Sequence, residues 1–159
     1  MKKELKIFNQ RISKKGIFDL NKVIKEVKEF LGANKYKCHE KQNVSKDTDK
    51  GVETIVDVVA EREIDDFYKY KIAVEFLVTN LEKVTAKNKR MDKGVLEVRI
   101  TPKLVLDHKN KFHGWFGDLL FKIYQKYIIK DTINKVHGAK IYLDGMAVFD
   151  LMKHTMDLD

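Results

Sequence analysis

The sequence has one cysteine and one proline, and it has few arginines. Because Cys38 is the only cysteine, no disulfide can form within the chain, which fits a reducing compartment. The only proline is Pro102, and no stretch rich in proline, glycine or serine interrupts the 159 residues. The absence of a linker predicts a single domain spanning residues 1–159.

Long apolar runs are also missing. No segment approaches the roughly 18 consecutive apolar residues that a membrane-spanning helix needs. The first six residues are mostly charged and no apolar segment follows them, so we expect no secretory signal. These absences predict a cytoplasmic protein without a membrane span.

Common motifs of catalysis and nucleotide binding are absent. The sequence contains no GxxxxGK[ST], GxGxxG, HExxH or CxxC pattern. Cys38 and His39 are adjacent, but neighbours in a strand face opposite sides and cannot easily form a reactive pair. Asp107, His108 and His113 form a loop cluster that matches no established metal-ligand spacing. We therefore predict a protein that is not an enzyme, with no catalytic residues, no metal site and no cofactor.

Positive charge is abundant and unevenly distributed. The formal net charge is +8, and lysines far outnumber the four arginines. Residues 1–50 carry a net charge of +7, and the short segment 83–93 carries +4. This distribution favours a polyanionic partner but does not specify which one.

The first clear element is an amphipathic helix. Asp19 is in position to cap its N-terminus, and Gly32 is placed as a glycine just after its C-terminus. Its apolar residues recur at spacings of three and four, and they are Leu20, Val23, Ile24, Val27, Phe30 and Leu31. Residues 1–12 are predicted to be a flexible tail or an additional strand.

Strand patterns follow this helix. A short strand is predicted from Tyr36 to Gln42, and apolar residues alternate with polar ones over 52–61, 68–78 and 96–101. Ala86 to Gly94 reads as a hairpin loop. Short connections between successive strands indicate an antiparallel meander of four or five strands.

The C-terminal third returns to helical spacing. A stripe of bulky residues should pack on the inner face of the sheet, and it consists of Phe112, Trp115, Phe116, Leu119, Leu120, Ile123, Tyr124, Tyr127 and Ile128. Such a helix can alternatively lie on a membrane surface. Residues 139–156 fit a second helix better than a hairpin turning at Asp144-Gly145.

The predicted fold class is therefore α+β, a single domain. It has an antiparallel four- to five-stranded meander sheet with an N-terminal helix and one or two C-terminal helices packed on it. The order of helix, meander and long helix resembles that of helix-grip ligand-binding domains. This sequence has fewer strands and a different order of elements, so the resemblance assigns no functional residue.

Two basic segments flank the last predicted strand, at residues 87–93 and 109–116. In the second segment basic residues are interleaved with aromatic residues, which can stack on bases. The residues predicted to contact phosphates are Lys87, Lys89, Arg90, Lys93, Lys109 and Lys111. If they converge on one surface, the chain is a basic binding module for RNA or for a ribonucleoprotein such as the ribosome.

Two alternatives remain open. An apolar small ligand would fit between the sheet and the long helix, because aromatic residues line both surfaces, namely Tyr68, Tyr70, Phe76, Trp115, Phe116 and Tyr124. The outward face of the sheet also carries apolar residues, and these are Ile55, Val59, Ala73 and Leu77. A homodimer formed through this outer face, or a structural homo-oligomer, would cover them.

Overall fold

A computed structural model describes residues 2–49, 51–86, 88–111, 114–123, 126 and 136–156. Its elements in chain order are β1 (Lys3–Lys6), β2 (Gln10–Phe18), α1 (Leu20–Ala33), β3 (Lys37–Thr48), β4 (Gly51–Glu63), β5 (Tyr68–Ala86), β6 (Lys89–Leu106), α2 (Gly114–Ile123) and α3 (Gly138–Thr155). Within these residues the fold is α+β, with one antiparallel sheet, one helix in the N-terminal part and two in the C-terminal part. This confirms the predicted fold class.

The sheet contains more strands than the sequence indicates. Its order is β1-β6-β5-β4-β3, and β2 also pairs with β6. The meander from β3 to β6 was predicted. The N-terminal residues form strands on the far side of β6 and are not a tail. β2 escaped prediction because few of its residues are buried, and the others are polar or half-exposed.

The hairpin between β5 and β6 is much tighter than predicted. Ala86 and Lys89 are register partners, and the pairing continues from there along the full length of β6. The predicted loop from Ala86 to Gly94 is therefore wrong, because most of it is strand. The parts of β5 and β6 that extend beyond the core in this hairpin are mostly polar, so no alternation of apolar and polar residues marks them as strands.

Helix α1 begins where the sequence predicts. The Asp19 carboxylate accepts a hydrogen bond from the Lys22 backbone N–H at 3.2 Å, as expected of an N-cap. The helix continues past Gly32 to Ala33, with Asn34 as its C-cap and Lys35 in the left-handed region at φ 70°. The predicted C-terminus is therefore displaced by about two residues, which is common for helix ends.

Helices α1 and α3 cover the inner face of the sheet. Val27 and Leu31 of α1 are buried in the same core as Phe76 of β5 and Val148 and Met152 of α3. The segment containing Asp144-Gly145 lies inside α3, so the helical interpretation is confirmed and the hairpin is not formed.

Helix α2 does not pack as predicted. Of its residues only Phe121 is buried, whereas the predicted stripe residues in the same helix are exposed. Phe112, Tyr124, Tyr127 and Ile128 lie outside the described residues. Within the described ranges, no helix combines the length and apolarity required to cross a membrane.

Candidate anion-binding surface

The residues predicted to contact phosphates do not come together, as far as the structure describes them. Lys89, Arg90 and Lys93 lie in the first five residues of β6, whereas Lys109 and Lys111 follow its opposite end. A strand as long as β6 separates the two groups by on the order of 50 Å. The sixth residue, Lys87, lies outside the described residues.

Several of these lysines are paired with carboxylates. The Lys89 Nζ lies 2.9 Å from the Asp19 Oδ2 atom. The Lys109 and Lys111 ammonium groups lie 2.7 and 3.0 Å from the two Asp66 oxygens. Their hydrogen bonds and charges lower the pKa of Asp66 to about 2, so this carboxylate stays ionised and partly neutralises both lysines.

A different set of cations converges on the outer face of the sheet, defined here as the face turned away from α1 and α3. The strand register places Lys71, Lys103 and Lys6 side by side across β5, β6 and β1. It also places Arg99 directly opposite Arg11 across β6 and β2. Like charges directly opposite each other destabilise a sheet, although the same register also places Glu75 opposite Arg99 and Glu61 opposite Lys71.

A cavity of about 200 Å³ lies between the two rows. Its base includes the small side chains of Ala73 and Thr101. Its charged lining consists of four cations and two carboxylates, namely Lys41, Lys71, Arg99, Lys103, Asp57 and Glu75. The cations therefore outnumber the carboxylates around this cavity, which favours an anionic occupant.

Two neighbouring cavities have the same excess of positive charge. One, of about 590 Å³, is lined by Asn9, Gln10, Arg11 and Arg99, so it shares Arg99 with the first cavity. The other, of about 490 Å³, is lined by Lys35, Lys37, His39, Glu61, Arg62, Glu63 and Lys69. Its four lysine and arginine side chains face two glutamates. The three cavities together extend the positive surface across several strands.

The carboxylates on this face are shared between cations. Glu4 lies 3.2 Å from the Lys71 Nζ and 3.6 Å from the Lys103 Nζ. Burial by itself raises the pKa of Glu4, but the hydrogen bond from Lys71 and the charges of both lysines outweigh it and lower the pKa. Glu97 similarly faces Arg11 at 3.5 Å and Arg99 at 3.6 Å. Each of these two carboxylates is therefore shared by two cations.

One carboxylate oxygen on this face has no hydrogen-bond donor among the described residues. Asp57 lies directly opposite Glu75 in the β4–β5 register, so two acidic side chains are neighbours. The Oδ1 atom of Asp57 is buried, and no described residue gives it a hydrogen bond. A ligand that fits this surface therefore needs hydrogen-bond donors as well as negative charge.

The described residues contain no group of three or more histidine, cysteine, aspartate or glutamate side chains able to hold a metal ion. Asp107 instead accepts a hydrogen bond from the Lys111 backbone N–H at 2.7 Å, and His113 lies outside the described residues. Burial raises the pKa of the Cys38 thiol, which favours its protonated form.

The sequence contains part of the signal for this surface. Alternation alone places Lys69 and Lys71 on one face of β5, and Arg99 and Lys103 on one face of β6. It does not indicate that these faces coincide, or that Lys6 and Arg11 join them from the N-terminal strands. That information lies in the register between strands that are distant in the sequence.

No protein-family model matches this sequence, and no curated protein and no solved structure matches the chain.

Proposed function

We propose that this chain is a non-catalytic binding module that docks onto RNA through the outer face of its sheet. The observation that carries this proposal is the alignment of cations opposite cations across neighbouring strands, around a cavity with excess positive charge. Binding of phosphates relieves the repulsion within these rows and releases the counterions that the phosphates hold.

The extent of the surface favours a polyanion over a small anion. The cations of the three cavities are distributed over β2, β3, β4, β5 and β6 and the turn before β3. Neighbouring strands lie about 4.8 Å apart, so a phosphate chain crossing them meets a new strand at each step. A single small anion would occupy only one of the cavities.

The chemistry of the surface favours RNA with a structured backbone. Asp57 needs a donor, and RNA supplies base N–H groups and 2′-hydroxyls alongside its phosphates. The outward positions of β5 and β6 around the central cavity carry no aromatic side chain on which bases can stack. Contacts to the backbone and to the shape of the RNA are therefore expected. The RNA of a ribonucleoprotein such as the ribosome offers a surface of this kind.

Charge removal at the two rows tests the proposal. The double variant Arg99→Gln/Lys103→Gln removes one cation from each row. Its matched control, Lys22→Gln/Lys25→Gln, removes two exposed cations from α1, on the opposite side of the molecule. RNA affinity is measured by titrating fluorescently labelled duplex and single-stranded RNA at several salt concentrations.

We expect the outer-face variant to weaken RNA binding by roughly tenfold or more, and the control by less than about threefold. The slope of log affinity against log salt should become shallower by roughly 1.5 to 2 for the outer-face variant, because two phosphate contacts are lost. Equal losses in the two variants would mean that only net charge matters, and the proposal would be wrong.

A further inference from the structure

Helix α2 turns its apolar side toward solvent. Its exposed residues form one contiguous face, and they are Trp115, Phe116, Leu119, Leu120 and Ile123. With 3.6 residues per turn, these five positions span an arc of about 140°. Phe121 points in nearly the opposite direction and is buried, with its ring centroid 6.0 Å from that of Phe67. The helix is therefore attached to the domain by its narrow side and presents its broad apolar side outward.

The exposed area is large for a protein surface. Trp115 is 81% exposed and Phe116 is 62% exposed. Aromatic side chains offer 150–250 Å² each, so these two alone leave roughly 300 Å² of apolar surface in water. Contiguous apolar patches of this size on soluble domains usually mark an interaction site.

The segments next to α2 are basic. Lys109 and Lys111 precede the helix and share one carboxylate, that of Asp66. Lys122 lies in the last turn, four residues after Asp118, and Lys126 follows the helix. An apolar ridge with aromatic side chains, bordered by lysines, is the combination that binds to the interface of an anionic bilayer.

We propose that α2 is a membrane-surface anchor, which inserts Trp115, Phe116 and Leu119 into the headgroup region of a bilayer containing anionic lipids. This contact uses residues distinct from the outer sheet face and is independent of RNA binding. Lys122 and the pair of Lys109 and Lys111, which share the single carboxylate of Asp66, face the lipid phosphates while the apolar face enters the acyl boundary.

A second copy of the chain is the other candidate occupant of this face, and the charges oppose it. In a symmetric antiparallel pairing, the basic start of one α2 meets the basic end of its partner. Lys109 and Lys111 of one copy would then face Lys122 of the other, and like charges across an interface are unfavourable. An anionic membrane turns the same lysines into favourable contacts.

Trp115 provides a direct test because it is the only tryptophan in the sequence. The full chain is titrated with vesicles of phosphatidylcholine, and separately with vesicles in which part of the lipid is phosphatidylglycerol. We expect a blue shift of the Trp115 emission that saturates with the anionic vesicles, and partitioning roughly tenfold or more stronger than with neutral vesicles. Lack of a shift with the anionic vesicles would overturn the proposal.

The variant Phe116→Ser/Leu119→Ser keeps the reporter and removes two exposed apolar side chains from α2. The control, Val44→Ser/Leu143→Ser, removes two similarly exposed side chains elsewhere, and circular dichroism checks the fold of both variants. We expect at least a tenfold loss of partitioning in the α2 variant and less than about twofold in the control. Equal losses in the two variants would overturn the assignment of the contact to α2.

Spectra without vesicles distinguish other occupants of the same face. If emission from dilute protein alone is already blue-shifted, protein covers Trp115 and the membrane proposal is wrong. If the blue shift develops only as the protein concentration rises, a second copy covers the helix, and the proposal is equally wrong. An unshifted spectrum over a hundredfold range of protein concentration supports the proposal.

Discussion

His137, at the N-terminus of α3, is held neutral by its surroundings. Its ring stacks on Tyr68 with centroids 3.9 Å apart, and its Nδ1 atom lies 2.8 Å from the Tyr70 hydroxyl. Burial lowers the pKa of His137, and the charge of Asp65 offsets this effect only in part. The tyrosines beside this histidine come from β5, which is distant in the sequence, so no local pattern marks the contact.

This pKa shift predicts a pH-dependent stability. Because the folded state binds the proton less tightly than the unfolded state, the contribution of His137 is fully present above about pH 6.5. It is lost as the pH falls through 6.5 and then through the lower folded-state pKa. Urea unfolding between pH 7.5 and 5.5 should show a smaller decrease in the free energy of unfolding for His137→Gln than for the wild type. Parallel decreases in the two proteins would contradict the assignment to His137.

Asp92 makes buried contacts that local patterns in the sequence cannot reveal. The sequence placed it in a solvated hairpin loop, yet it is buried and accepts a hydrogen bond from the Leu20 backbone N–H at 3.0 Å. It also contacts the Lys83 ammonium group. This carboxylate joins β6 to the first turn of α1, and only the three-dimensional pairing of β2 with β6 brings the two together.

At the scale of helices and strands, features encoded within a few residues could be predicted from the sequence. Features set by contacts between distant segments could not. The cap at Asp19 and the apolar spacing of α1 identify that helix, because both are encoded within a few residues. The outward face of α2 could not be predicted, since the same apolar stripe fits a helix buried against the sheet. Which face packs inward depends on what else covers the core, and here α1 and α3 already cover it.

Two glycines in helices have opposite roles. A Cβ atom at Gly145 of α3 would collide with the Pro102 ring and with the Phe8 ring, whereas at Gly32 of α1 it would meet nothing within 4 Å. We therefore expect Gly145→Ala to destabilise the protein by about 1–3 kcal/mol, because overpacking outweighs the gain in helix propensity. Gly32→Ala should instead stabilise it by about 0.5–1 kcal/mol. Thermal and urea unfolding of both variants measure this difference, and a stable Gly145→Ala protein would show that α3 can shift away from β6.

At the scale of the whole molecule, the sequence predicted excess positive charge but not its location. The basic segments that stand out in the sequence lie at opposite ends of β6, and several of their lysines are paired with carboxylates. The outer-face cations are less conspicuous in the sequence, because they are single lysines and arginines on separate strands. Sheet register, and not local composition, creates this surface.

Because the cations of the outer-face rows repel each other, removing one of them should affect RNA binding without destabilising the fold. Lys103 lies opposite both Lys71 and Lys6, and its contact with Glu4, at 3.6 Å, is longer than that of Lys71. Removing the charge of Lys103 relieves its repulsion with Lys71 and Lys6, at the cost of a partly exposed ion pair with Glu4. We therefore expect Lys103→Gln to change the free energy of unfolding by less than about 0.5 kcal/mol, or to raise it.

The same substitution should reduce the stabilisation that RNA gives. A ligand that binds only the folded state raises the Tm, and the rise grows with the ligand concentration relative to its Kd, so duplex RNA at low salt should stabilise the wild type more than Lys103→Gln. Differential scanning fluorimetry with and without RNA measures both effects in one protein preparation. If Lys103→Gln lost stability without RNA and kept the full RNA-induced shift, Lys103 would be a structural residue, and the row to which it belongs would not be part of the binding surface.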